Sequence, residues 1–216
     1  MVPLSFVVLL LRPQLATTAY QMRIQDQVTL FQRIELADLS RKQEAAARGV
    51  VNSVSDRDVQ IVPAHGVLTA NILEPLRIQV PQILGSDERR AFDEPTEVGD
   101  DYGGRLQATR RFAELKIGFT GDPQAFDIKP PSMRYTTVLR AYVDRTAVRR
   151  VISINNKDTA QARSELDAFL RDFKAALETL RSDVNKSEMQ LRERIMQMLD
   201  ERGRRVTELA ELSSQL

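Results

Sequence analysis

Hydrophobic positions change period partway along this chain. Between Leu76 and Asn155 they alternate with polar ones, and from Asp158 to Leu216 they recur every three or four residues. Alternation puts successive side chains on opposite faces of a strand; the longer spacing lines them up on one face of a helix. The pattern predicts an α+β protein: a small antiparallel β-sheet flanked by long N- and C-terminal helices that pack together or oligomerise. Three regions follow. Residues 1–56 hold an apolar N-terminal segment and a long helix, 57–157 an antiparallel β domain with a polar loop at 85–105, and 158–216 a helical hairpin or kinked long helix.

The clearest strand places Ala113, Leu115, Ile117 and Phe119 on one face and Arg110, Phe112, Glu114 and Lys116 on the other. Gly121-Asp122-Pro123 reads as a tight turn, because Pro sets φ and Asp bonds nearby amides. Tyr135, Thr137, Leu139, Ala141 and Val143 alternate again, Asp144-Arg145-Thr146 suits a hairpin turn, and Val148 to Ile154 is the return strand. Further upstream, Val59–Val62 and Val67–Leu73 are rich in β-branched and aliphatic residues. Leu76–Val80, between Pro75 and Pro81, reads as an edge strand. Gly85 to Gly104 is polar and acidic in its middle and reads as a surface loop.

The first helix is expected from Pro13 to about Ala47, with Ile24, Val28, Phe31 and Ile34 as its apolar stripe and Gly49 as its stop. The last begins at a cap on Asp158 or Thr159 and carries Leu166, Phe169, Phe173, Leu177, Leu180 and Val184. Ser182-Asp183-Val184-Asn185, then Ser187 and Gln190 as a capping box, predict a bend or hairpin near 182–187. Leu191, Ile195, Met198, Leu199, Val206, Leu209 and Leu216 follow. A helix of thirty residues is about 45 Å long. That outreaches a small sheet, so part of it must pack on the first helix, a second subunit or another domain. The interaction residues expected on this basis are Phe31, Ile34, Leu191, Ile195, Leu199, Val206 and Leu209.

Composition narrows the chemistry. The net charge of +1 argues against a dedicated nucleic-acid surface. With no Cys and one His, thiolate chemistry is excluded and a transition-metal site is disfavoured; no cofactor is expected, and the cytoplasm suits the lack of thiols. The single His65, in Pro63-Ala64-His65-Gly66, is either a lone general base or a turn histidine. The apolar run from Val7 to Leu11 is too short to span a membrane, which needs roughly 20 residues. It resembles a signal-peptide core with a weak cleavage site at Ala16–Ala19, but lacks a basic segment before it. A buried strand, a docked segment or an early start codon are the other readings. The signal-segment reading leads to an envelope or secreted adaptor anchored by Val2–Leu11.

One catalytic pattern can be drawn. Glu114-Leu115-Lys116 on a strand, with Asp100 and Asp101 upstream, fits a Mg²⁺-dependent nuclease, in which carboxylates hold the metal and Lys faces the phosphate. Alternating strands produce that spacing by chance. Arg192, Arg194, Arg202, Arg204 and Arg205 alternate with Glu188, Glu193, Asp200, Glu201, Glu208 and Glu211, as on a solvated helix face.

Phe119-Thr120-Gly121-Asp122-Pro123-Gln124-Ala125-Phe126, followed by Pro130-Pro131-Ser132, resembles an uncharacterised bacterial module found beside effectors in anti-phage defence or restriction-like systems. The resemblance covers roughly residues 70–200 and places Asn185 at a helix junction. It implies a sensor or scaffold that works with a toxic effector, and no effector is recognisable in this chain. The expected function is a non-catalytic interaction or regulatory module whose partner is a second copy or an effector protein.

Overall fold

The computed structural model describes residues 27–99, 105–133, 138–154 and 158–214. The expected apolar segment before residue 27, Ile24, Asp100, Asp101, Tyr135, Thr137, Asn155–Lys157 and Leu216 lie outside them. The described chain runs β1 (Val28–Thr29), β2 (Ile34–Glu35), α1 (Leu36–Ser53), α2 (Asp56–Gln60), α3 (His65–Leu73), β3 (Gln82–Gly99), β4 (Arg105–Thr120), β5 (Ile128–Lys129), β6 (Arg140–Val143), β7 (Ala147–Ser153) and α4 (Thr159–Ser214). The architecture is α+β: an antiparallel sheet in the order β1-β6-β7-β4-β3, a parallel β2–β5 bridge, and helices.

The core is built along α4. Its apolar residues repeat at three- and four-residue spacing, so they form one stripe down one side. Leu166, Phe169, Phe173, Leu177, Leu180 and Val184 meet the inner face of the sheet, where Leu115, Ile117 and Phe119 of β4 and Val148 and Ile152 of β7 are buried. Leu191, Ile195, Met198 and Leu199 meet a second cluster formed by α1, α2 and α3 through Ala47, Val51, Val59, Ile72 and Leu73. Asp158 caps the helix through its side chain, which accepts from the Gln161 amide at 2.6 Å.

Five expectations are corrected. Residues 28–34 are not helical. The amides of Leu30, Phe31 and Arg33 donate to Leu139, Phe126 and Asp127, so their hydrogen bonds go to the sheet and the turn. Phe31 takes φ +57° to reach the core, and α1 then runs through Gly49 to Ser53.

Residues 56–73 form helices in place of strands. Ser55 caps α2, and His65, Thr69, Ile72 and Leu73 are buried on one face of α3. Burial against α4 outweighs the β-propensity of the valines and isoleucines. After a helical turn at Glu74–Leu76, residues 77–81 are extended but pair with no strand. Proline on both sides limits the ladder bonds available there.

Residues 85–99, expected as a loop, belong to β3, which pairs with β4 from Gln82↔Thr120 to Gly99↔Arg105. The ladder is irregular between Ile83 and Asp87. Its cross-strand partners are charged: Glu88 with Lys116 at 2.9 Å, Arg90 with Glu114, and Asp93 with Arg111 at 2.9 Å. Phe92 and Phe112 add a ring pair at 5.6 Å. Arg89 bonds Asp167 of α4 at 2.7 Å.

Finally, α4 is one continuous helix of 56 residues, without a hairpin at 182–187. Its weak stretch is held on its buried sides. Asp183 accepts from the Ser132 amide (3.0 Å) and hydroxyl (2.6 Å), Ser187 meets Ser40 at 2.7 Å, and Val184 is in the core. These contacts outweigh the low propensity of Ser, Asp and Asn.

The turn that carries the sequence motif is a structural node. Gly121 has φ +107°, and a Cβ there would lie 3.2 Å from the Pro81 Cα, so only glycine fits without displacing backbone. Asp122 accepts from the Gln124 amide at 2.9 Å. The turn delivers Phe126 among Phe31, Phe119 and Phe173, with ring centroids 5.9, 4.9 and 5.6 Å away.

The β6–β7 turn depends on Asp144, whose carboxylate accepts from the Thr146 and Ala147 amides at 2.8 and 2.7 Å. Burial alone would raise its pKa; the two amides and Arg149 outweigh burial and hold it below the usual carboxylate range.

Two outcomes are expected. Phe173→Ala removes the ring shared by this cluster and should lower unfolding free energy by about 3–5 kcal/mol in urea titration. Because the folded-state pKa of Asp144 is depressed, its contribution is present above the unfolded value of about 4 and is lost as pH falls through the folded value. The stability gap between wild type and Asp144→Asn should therefore be constant at neutral pH and close on acidification. A gap that widens in acid contradicts this assignment.

Candidate functional site

The sequence-predicted residues separate into core and surface. Phe31, Ile195 and Leu199 are 0% exposed and Leu191 is 7% exposed, all inside the chain's own core. Ile34 and Val206 are half-buried, and Leu209 is 64% exposed. Of the seven, only these last three present any surface to a partner.

Glu114 and Lys116 share the face of β4 turned away from α4, and Asp101 lies outside the described residues. Glu114 is 2% exposed and sits between cations, bonded to Arg90 and 3.8 Å from Arg149. Lys116 is taken by Glu88. A magnesium site gathers several oxygen ligands. Among the described residues no group of three or more His, Cys, Asp or Glu side chains could hold a metal. Arginines around Glu114 make that spot unfavourable for a second cation.

His65 is buried at the start of α3. Its Nε2 lies 2.6 Å from the Val59 carbonyl oxygen and its Nδ1 lies 2.7 Å from an Asp200 carboxylate oxygen of α4. Both ring nitrogens are engaged within the fold and the residue is 3% exposed, so neither faces a substrate. The histidine ties the end of α2 and the start of α3 to α4.

That tie forms one wall of a groove of about 640 Å³ between α4 and the α2–α3 segment. Val59, Val62 and His65 line one side; Gly203, Arg204, Thr207, Glu208 and Glu211 line the other. Gly203 lets the backbones close, since a Cβ there would stand 3.1 Å from the Val59 oxygen. Beyond Gly203 α4 loses its intramolecular cover. From Arg204 to Ser214 no residue is buried, and Leu209 and Leu212 are 64% and 58% exposed. Sequence reasoning read this face as solvated charge. The overlooked signal was Gly203, because a glycine inside a helix costs about 1 kcal/mol against alanine and marks a close approach. Among the described residues no helix is long and apolar enough to cross a membrane.

Replacing His65 by leucine strands the buried Val59 carbonyl and should cost about 1–3 kcal/mol. Asp200→Asn should cost under about 1 kcal/mol, because that carboxylate is half exposed. Thermal unfolding of both variants checks this order, and equal losses would sink it. No family model, curated protein or solved structure matches this chain.

Proposed function

We propose that this protein is a non-catalytic interaction module that self-associates with a second copy through the last turns of α4, along the stripe of Val206 and Leu209. The observation that carries the reading is the continuation of the buried stripe. Ile195 and Leu199 are core, and Val206 and Leu209 extend the same face past the point where α1, α2 and α3 end. A stripe this narrow suits helix pairing.

Charge favours a second copy in an antiparallel arrangement. Arg202, Arg204 and Arg205 precede Val206, and Glu208 and Glu211 follow it. An antiparallel two-fold pairing brings the basic turn of each copy alongside the acidic turn of the other, with the Val206 and Leu209 stripes between them. The role beside an effector rests on the sequence resemblance alone, and the absence of cysteine supports placing the protein in the cytoplasm.

Light scattering over a concentration series up to about 0.1 mM should show a dimer. Leu209→Glu should make it monomeric at an unchanged melting temperature, whereas Leu199→Glu should unfold the chain. A wild type that stays at 24.5 kDa throughout that range overturns the proposal.

A further inference from the structure

On the other side of α4 lies a hollow of about 250 Å³, and half of the residues lining it are arginine. Arg48 and Asn52 of α1 face Arg194, Glu201, Arg202 and Arg205 of α4 across it. Arg202 has a structural task. It donates to the Val51 carbonyl near the end of α1 and to Asp56 at 2.9 Å, and the last turn of α1 carries no basic residue of its own. One cation near that carbonyl end is sufficient for the helix dipole.

The other three arginines are not used in this way. Arg48 and Arg194 approach the same Glu44 oxygen, at 3.2 and 3.3 Å. Arg205 is paired only loosely, with Glu201 at 3.8 Å. Three arginine side chains therefore line one hollow, with Glu44 and Glu201 as their carboxylate partners. A multivalent anion there would meet several cations at once. Planar guanidinium forks match phosphate oxygens two at a time, which lysine does not do. At about 250 Å³ the space lies below the usual range for drug-sized ligands, roughly 300–1,000 Å³.

We propose that this hollow is a binding site for a small polyphosphate anion of di- or triphosphate size, held by Arg48, Arg194 and Arg205. Arg48 lies on α1 and Arg194 twelve residues before Val206, so a loss of anion binding in the Arg48→Gln/Arg194→Gln variant and a loss of self-association in Leu209→Glu are told apart.

The test is calorimetric titration of the full chain with inorganic tripolyphosphate at low ionic strength, for wild type and for Arg48→Gln/Arg194→Gln. The expected result is one saturable site per chain, an affinity at least about tenfold lower in the double variant, and a ligand-dependent rise in melting temperature for wild type only. Both side chains are about half exposed, so the variant should fold. Should it not, Arg205→Gln, whose side chain is 74% exposed, serves as the second variant with the same expected loss. No saturable heat with wild type, or equal affinity in the variants, overturns the proposal. So does much tighter binding of a single-stranded oligonucleotide that the same substitutions weaken, because the phosphates would then belong to a nucleic-acid backbone.

Discussion

Everything in this structure depends on the burial of one continuous stripe on α4. A 56-residue helix is roughly 80 Å long and cannot be stable through propensity alone. Two different partners cover it in succession, the sheet along its first half and the α1–α3 cluster along its second. Each cluster alone would be small. Sharing a helix makes the two halves parts of one packed unit, and a bend at 182–187 would separate them. Asp183, Val184 and Ser187 hold that stretch straight by contacts to Ser132, the core and Ser40.

The first cluster has an aromatic centre that the chain reaches from distant positions. Phe126 arrives from a turn that only glycine at 121 permits. Phe31 arrives from an entry segment bent through φ +57°. Edge-to-face rings at 4.9–5.9 Å add specificity beyond burial. This explains physically why Phe119, Gly121, Asp122 and Phe126 occur together. Two rings pack, one glycine turns the chain, and one carboxylate secures an amide.

Charge is distributed to suit the two ends of the molecule. On the β3–β4 ribbon, opposite charges face each other across the strands and give it stability where apolar cover runs out. At the far end of α4, a basic turn followed by an acidic turn flanks exposed leucines, and this is the arrangement on which the proposed pairing rests. Between them, arginines outnumber the carboxylates around one hollow. A net charge of only +1 thus conceals strong local asymmetry, which composition alone could not locate.

Several elements were legible in the residues themselves. The alternation of β4 and β7, the Asp144 turn, the Asp158 cap and the long periodicity of α4 all depend on local patterns, and each agrees with the packing later imposed on it. The ribbon strand β3 was not legible, because a strand solvated on both faces has no hydrophobic alternation and its pairing with β4 is visible only as cross-strand charge. The segments 28–34 and 56–73 were misread because tertiary burial overrode local propensity. The fate of the apolar stripes also lay beyond the sequence. A stripe looks the same whether its partner is the same chain or another, and only the fold shows that Leu191, Ile195 and Leu199 are covered by α1–α3 while Leu209 is not. Sequence determined where helices and strands could form, because that depends on neighbours a few residues apart. Tertiary structure decided which faces remain exposed, because that depends on which distant segments reach them first.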